Sequence, residues 1–288
     1  QENDIPVDGT CIGNALVSPT TGGSFSGEIS GTVMPVGMGI TYTPYEGKND
    51  IISTLMLHTD DGADIIDIGA MSTRPGSEKI TSEREIDRLE RVLYGIREKS
   101  DIPISIDTVY PETADFALEN GADIINDVTG VFNGEMASVA KKHGAGWIVM
   151  HNKSSDAGDK VDYKNGIIND ISDFFDMMIS KCVKFGIPEE NLCLDPGFGF
   201  GKNTAQNIDI LKNTDKLSDR NIMYLTALSR KRFIGDITGE TDASKRDAGT
   251  LAADLLACLG GSDILRVHDV KSTHDAVEIF EAWRKCNG

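Results

Sequence analysis

Basic residues are scarce in this 288-residue chain: 28 Lys and Arg face 46 Asp and Glu, a formal net charge of −18. A general nucleic-acid binder needs a basic face to neutralise phosphates, so DNA and RNA are not expected partners. A small anionic substrate is not excluded, because a local cluster of Arg, Lys and His outweighs a diffuse surface field at short range. Long apolar runs are missing too. No stretch approaches the ~20 residues of a membrane span, and no membrane association is expected. The first residues carry neither the charged nor the apolar region of a secretion signal. Cysteine is sparse: Cys11, Cys182, Cys193, Cys258 and Cys286 are scattered, odd in number and form no C-x-x-C pair. This argues against a zinc framework or a disulfide scaffold. The expectation is a cytoplasmic protein with reduced thiols, Cys193 and Cys258 being core.

What the chain does have is a recurring short run of β-branched and apolar residues. Eight such runs cover residues 33–40, 64–69, 103–107, 123–126, 146–150, 192–195, 222–228 and 263–267. Between them lie segments of helical periodicity, at 49–61, 82–99, 111–120, 134–143, 166–185, 204–214, 245–260 and 272–285. Thr81 or Ser82 with Glu85 reads as a capping box, Pro111 suits a first helical turn, and Gly121, Gly144, Gly186 and Gly260 suit helix ends. Strict alternation of strand and helix implies parallel strands with helices outside. Polar residues follow nearly every strand, whereas an open sheet would gather its site at one switch point. The expected fold is an α/β, (β/α)8 TIM barrel, a single domain over residues 33–288. Residues 1–32 are glycine-rich and stand outside the pattern as an N-terminal extension, either a hairpin closing the bottom of the barrel or a flexible tail.

The polar residues at the run ends are Thr73 and Arg74, Asp107, Asn126, His151, Asp195, Lys231, Arg266 and His268. In a closed barrel these converge on one face. Ser72-Thr73-Arg74-Pro75-Gly76 sets hydroxyls and a planar guanidinium on a stiff loop, suited to phosphate or carboxylate; an ordinary βα loop is the alternative. Asp107 and Asn126 at adjacent strand ends can hold the amide-like edge of a nitrogen heterocycle, although either alone reads as a helix cap.

Asp195-Pro-Gly-Phe-Gly-Phe-Gly-Lys202 is not a Walker A loop: Pro196 replaces the first glycine and Asn203 stands where Ser or Thr is required. Nor does its spacing fit a dinucleotide fingerprint. It reads as a pocket carboxylate followed by an aromatic wall, with one of Phe198 and Phe200 in the core. Lys231 lies in Ser229-Arg230-Lys231-Arg232. Arg266 and His268 share one side of the last run, and with Arg74 they make a positive mouth for a dianionic leaving group. His151 reads as structural, and His58, His143 and His274 as exposed helix residues.

Seven pieces in order, DIG…STRPG around Asp67 to Gly76, ISID to Asp107, IIND around Asn126, VMH to His151, DPGFGFGK from Asp195, LSRK to Lys231 and RVHDV from Arg266, resemble the dihydropteroate synthase family. The resemblance runs from about residue 62 to the C-terminus. It implies a barrel transferase of folate synthesis that joins 6-hydroxymethyl-7,8-dihydropterin diphosphate to p-aminobenzoate and releases diphosphate. By position, Asp107, Asn126, Met150, Asp195 and Lys231 would hold the pterin. Arg74, Arg266 and His268 would bind the diphosphate with Mg2+. Thr73, Arg74, Pro75, Phe200, Lys231 and Arg232 would frame the p-aminobenzoate slot. Asp107, Lys231, Arg266 and His268 would serve the chemistry. A homodimer is implied as well.

One loop departs from the family pattern. After strand one the family carries Asn-Val-Thr-Pro-Asp-Ser-Phe-Ser, whereas here Gly39-Ile-Thr41-Tyr-Thr43-Pro44-Tyr45 keeps only Thr-Pro and sets Thr41 at the metal-binding Asn. A rival alignment through Asn14 to Ser26 lengthens the connection to strand two, so residues 33–40 are preferred as strand one. The change bears on metal binding, turnover and response to sulfonamides. Two other readings follow: a non-catalytic pterin-binding paralogue that has lost its catalytic lid, and a corrinoid-dependent methyltetrahydrofolate methyltransferase. The latter would need neither the STRPG loop nor the diphosphate clamp.

Overall fold

The computed structural model describes residues 59–71, 80–154 and 161–286, and the backbone of 14–15 and 36–39. The strands are β1 Asn14–Ala15, β2 Val36–Gly39, β3 Ile65–Ile68, β4 Ile104–Asp107, β5 Ile124–Asp127, β6 Gly146–Met150, β7 Leu192–Asp195, β8 Met223–Thr226 and β9 Ile264–Arg266. From β3 to β9 each strand pairs in parallel with the next. β2 pairs in parallel with both β3 and β9, and β1 lies antiparallel to β2 and β3. The helices are α1 Ser82–Arg97, α2 Pro111–Glu119, α3 Gly134–His143, α4 Ile167–Phe185, α5 Thr204–Lys212, α6 Thr214–Ser218, α7 Arg232–Thr238, α8 Asp247–Leu259 and α9 Val270–Cys286. The result is an α/β fold with a curled parallel sheet. No helix among the described residues is long and apolar enough to cross a membrane.

Alternation along the strands builds two layers of side chains. Ile66, Ile68, Ile104, Ile106, Ile125, Trp147, Val149, Leu192 and Leu194 pack outward against the helices in one large buried cluster. Each such side chain contributes about 1.5–3 kcal/mol by leaving water. Ile65, Ile124, Ile148, Cys193, Met223, Leu225 and Ile264 form a second, smaller cluster inside the curl. The inward positions one step further along, Asp67, Asp107, Asn126, Met150, Asp195 and Arg266, sit on that apolar floor.

Three joints entering strands repeat one design. Gly62-Ala63-Asp64, Gly121-Ala122-Asp123 and Gly261-Ser262-Asp263 each lead into an Ile, and their glycines hold φ of 97°, 99° and 91°. A side chain there would be strained. Asp123 Oδ2 accepts from the Ile104 amide at 2.9 Å and from Arg97 at 2.8 Å. Asp263 Oδ2 accepts from the Tyr224 amide at 2.8 Å. Asp123 and Asp263 thus anchor the start of the neighbouring strand.

Local expectations differ from the structure in a few places. Thr81 caps α1 by accepting from the Arg84 amide. Glu85 is buried instead of closing a capping box, and accepts from Thr108 Oγ1 at 2.6 Å. A full capping box occurs at α5, between Asn203 and Gln206. The segment 204–214 breaks at Asn213 into α5 and α6. Helix α7 has no counterpart in the periodicity, since seven residues containing Gly235 give fewer than two turns of pattern. His143 closes α3 with its side chain only 17 % exposed, 2.6 Å from Asp115. Most of segment 49–61, including His58, lies outside the described residues.

Candidate active site

The C-terminal ends of β4 to β9 border a cleft lined by Asp107, Asn126, Val128, Met150, Asp195, Gly197, Phe198, Phe200, Ala227, Lys231 and Arg266. Residues separated by 159 positions in sequence meet here because every parallel strand ends on the same side. Arg266 lies at the centre of the polar group. Its Nε and Nη2 donate to Asp67 Oδ2 at 3.1 and 2.8 Å, and Nη2 also donates to Asp107 Oδ2 at 3.2 Å. Burial works against the guanidinium charge, but Asp67 and Asp107 overcome it and hold Arg266 above its ordinary range. Asn126 Nδ2 donates to both oxygens of Asp67, at 3.3 and 3.2 Å, which fixes its carbonyl oxygen as the remaining acceptor.

Asp107 carries one oxygen in this network, while its Oδ1 is buried without a hydrogen-bond partner. Burial raises its pKa, with Asp67 and Glu85 adding to the rise and Arg266 and Lys231 opposing it. An unpaired buried acceptor is costly, and an N–H donor from a ligand would relieve it. Asp195, raised by burial, accepts from the Gly197 amide at 2.7 Å. Gly197 holds φ 68°, and a Cβ there would collide with the His151 carbonyl, so this turn requires glycine.

Lys231 immediately precedes α7, and its Nζ stands 4.7 Å from the centre of the Phe200 ring, a cation–π contact. Arg230, at φ 57°, is pinned by a bidentate pair with Asp247 at 2.7 and 2.8 Å, which aims the next residue inward. Phe198 is fully buried and stacks on Phe233, whereas Phe200 remains partly exposed at the cleft. One phenylalanine is core and the other is wall.

The structure thus brings together Asp107, Asn126, Met150, Asp195, Phe200, Lys231 and Arg266. His268 stands beyond that lining, with Nδ1 2.8 Å from Ser229 Oγ and its amide donating to the same oxygen. Arg232 turns outward, 91 % exposed, 3.9 Å from Asp236. Thr41, Thr73, Arg74 and Pro75 lie outside the described residues. Asp67 was not singled out from the sequence, where it reads as the start of the STRPG loop. The signal was there: it occupies an inward position of β3 two residues after Ile65. His151 is fully buried, its Nε2 2.9 Å from Asp170, and burial lowers its pKa to about 4.

Comparison with known proteins places this geometry. The sequence profile of the family described as pterin binding enzyme matches residues 45–268. The dihydropteroate synthase of Streptococcus pyogenes serotype M6 is 39 % identical over 244 residues, spanning 84 % of this chain and 88 % of that protein. Among solved structures, Xanthomonas albilineans dihydropteroate synthase with 4-aminobenzoic acid superposes with a TM-score of 0.77 at 34 % identity, covering 81 % of this chain and 84 % of that one. The same enzyme in complex with 7,8-dihydropteroate gives 0.74 at 32 % identity, with coverage of 81 % and 86 %. Strand-end polar groups, pocket and extended similarity agree, and the chain belongs to the dihydropteroate synthase family of pterin-binding transferases, which act on a pterin diphosphate and p-aminobenzoate in folate synthesis.

Proposed function

We propose that this chain joins 6-hydroxymethyl-7,8-dihydropterin diphosphate to p-aminobenzoate with its strand-end residues in the following roles. The observation that carries the assignment is the unpaired, buried Oδ1 of Asp107 in a cleft shared with Asn126, Asp195 and Lys231. A pterin edge offers ring N–H and amino donors together with a carbonyl and ring nitrogens, which match two carboxylates, a carboxamide and an ammonium. Met150 supplies apolar contact to the ring. Arg266 and His268, with Arg74 from the loop outside the described residues, receive the diphosphate. Thr73, Pro75, Phe200 and Lys231 frame the p-aminobenzoate, with Arg232 as an outer cation near its carboxylate.

Positive charge around the departing diphosphate lowers its basicity and eases cleavage of the C–O bond. The carbon left behind shares its positive charge with the electron-rich pterin, and Asp107, if ionised, stands where it would stabilise that charge. A ring N–H donated to Oδ1 favours the ionised form against burial. The aniline nitrogen of p-aminobenzoate then attacks, which demands placement more than a strong base.

Mg2+ is kept as a proposed companion of the diphosphate, where it would neutralise part of the negative charge. Among the described residues no ligand set for it lies in the cleft. The three-ligand group they contain, Asp115, Glu119 and His143, is on α2 and α3, and Lys142 already binds both its carboxylates. No step above depends on the metal.

The domain is read as residues 33–288 with an extension over 1–32, and the sheet as a closed (β/α)8 barrel. The pairing of β2 with both β3 and β9 supports closure. A cytoplasmic homodimer completes the reading. Ile237, Leu256, Leu259, Ile279 and Trp283, each more than half exposed on α7 to α9, are the surface a second copy would cover.

The test is chromatography of purified protein incubated with the pterin diphosphate, p-aminobenzoate and Mg2+. Dihydropteroate formed well above a Lys231→Ala control is the expected result. Pterin binding by calorimetry without product would favour the non-catalytic paralogue.

A further inference from the structure

The DPGFGFGK turn ends in a lysine that the substrate roles leave unused. Lys202 Nζ donates to three backbone carbonyls: His151 at 3.1 Å, Gly197 at 2.8 Å and Phe200 at 3.0 Å. The first belongs to the end of β6, the other two to the turn after β7. An ammonium has three donors and no acceptor, so the three carbonyls use it completely. The far side of the turn is held by Asn207 on α5, whose Oδ1 accepts from the Gly199 amide at 2.8 Å. Between these two fixings stands Phe200, partly exposed at the cleft and facing Lys231.

We propose that Lys202 is a positioning residue for the second substrate: by tying the turn 195–201 to the end of β6, it sets the Phe200 ring against which p-aminobenzoate is placed. This rests on the reading that Phe200 and Lys231 frame that slot. Lys202 touches no substrate itself. Without its three donors, three partly buried carbonyls would lose their common partner, and the turn would lose its tie to the end of β6, keeping only its bonds to Asp195 and Asn207.

The charge on Lys202 is under pressure. Burial lowers its pKa to about 7, and Lys231 across the turn adds to the fall, whereas Asp195 on β7 and Asp170 on α4 oppose it. Asp170 is itself shared by Lys153 and by His151 of β6's end. A neutral amine keeps only two donors and turns a lone pair on the third carbonyl. The tie therefore weakens as pH rises through the lysine's titration.

Steady-state kinetics of the full chain on both substrates tests the idea, with Lys202→Met and Lys202→Arg as variants and deuterium exchange of the amides at 197–201 as a second readout. Lys202→Met is expected to raise KM for p-aminobenzoate about tenfold or more, to leave KM for the pterin diphosphate within about twofold, and to speed exchange at the turn. In the native chain KM for p-aminobenzoate should rise between about pH 6 and pH 9, where neither the aryl carboxylate nor the aniline titrates. Lys202→Arg, which keeps its charge throughout, should flatten that rise. Unchanged exchange, or both KM values moving together, would overturn the proposal. Should Lys202→Met not fold, Lys202→Gln read by the same KM split and the same amide exchange takes its place, and unchanged exchange at the turn there would overturn the proposal. A native chain that makes no dihydropteroate is a different failure, that of the functional reading.

Discussion

Arg266, Asp67, Asp107 and Asn126 form one unit, and single substitutions should show it. Arg266→Ala removes the cation of two buried carboxylates, so it should destabilise the protein by about 3–5 kcal/mol. On an Asp67→Asn background the same change should cost less, a coupling that a thermal double-mutant cycle reads directly. In binding, Arg266→Ala should weaken the diphosphate ester far more than the free alcohol pterin. Equal losses by calorimetry would make Arg266 structural only. Asp107→Asn should fold with undiminished stability, since burial already disfavours the charged form, yet turnover should fall at least about tenfold. A variant of normal rate would remove Asp107 from the mechanism. Asp107, Asn126, Asp195 and Arg266 were legible in the sequence because each ends an apolar run. Asp67 was not, because the serine, threonine and arginine that follow it drew the reading into the loop. The outward turn of Arg232 was equally invisible, being decided by its place as the first residue of α7 with Asp236 one turn on.

The joints decide how strands and helices meet. Asp123 accepts from the Ile104 amide and from Arg97, so Asp123→Ala should cost about 1–3 kcal/mol, read as a lowered melting temperature. Asp64 holds the same place ahead of β3, and burial raises its pKa to about 7. A carboxyl raised in the fold gives stability that is full below its unfolded pKa and lost as pH climbs to the folded one. Asp64→Asn should therefore gain on the native chain between about pH 4 and pH 7, and parallel melting curves across that range would refute it. The strands and most helices could be read from period and punctuation. The repeated glycine-to-aspartate joint escaped notice because its meaning is a bond to a different strand, which no local pattern records. Helix α7 escaped because it is short and holds Gly235.

At the scale of the molecule, alternation of strand and helix was enough to expect a parallel sheet covered by helices, since parallel neighbours require crossovers and crossovers require helices; the expectation of a barrel came from the polar residues that follow nearly every strand. What alternation could not show is which outer helices stay uncovered, because a helix's apolar stripe looks the same whether it meets its own sheet or another chain. On the homodimer reading, Ile279→Glu with Trp283→Glu should convert the protein to monomers in sedimentation velocity without loss of fold. An unchanged sedimentation coefficient would place the interface elsewhere.

The central arginine has a consequence for how the substrate is recognised. Asp107 shares its charge between Arg266 and whatever N–H a bound ring brings to Oδ1. A ring that draws on that carboxylate loosens its claim on the guanidinium, which then answers an anion more strongly. On the proposed roles of Asp107 and Arg266, the ring and the diphosphate would in this way be thermodynamically linked through one carboxylate. Offered as separate molecules, each would raise the affinity of the other by the same factor, and their separate binding energies would sum to less than that of the two bound together.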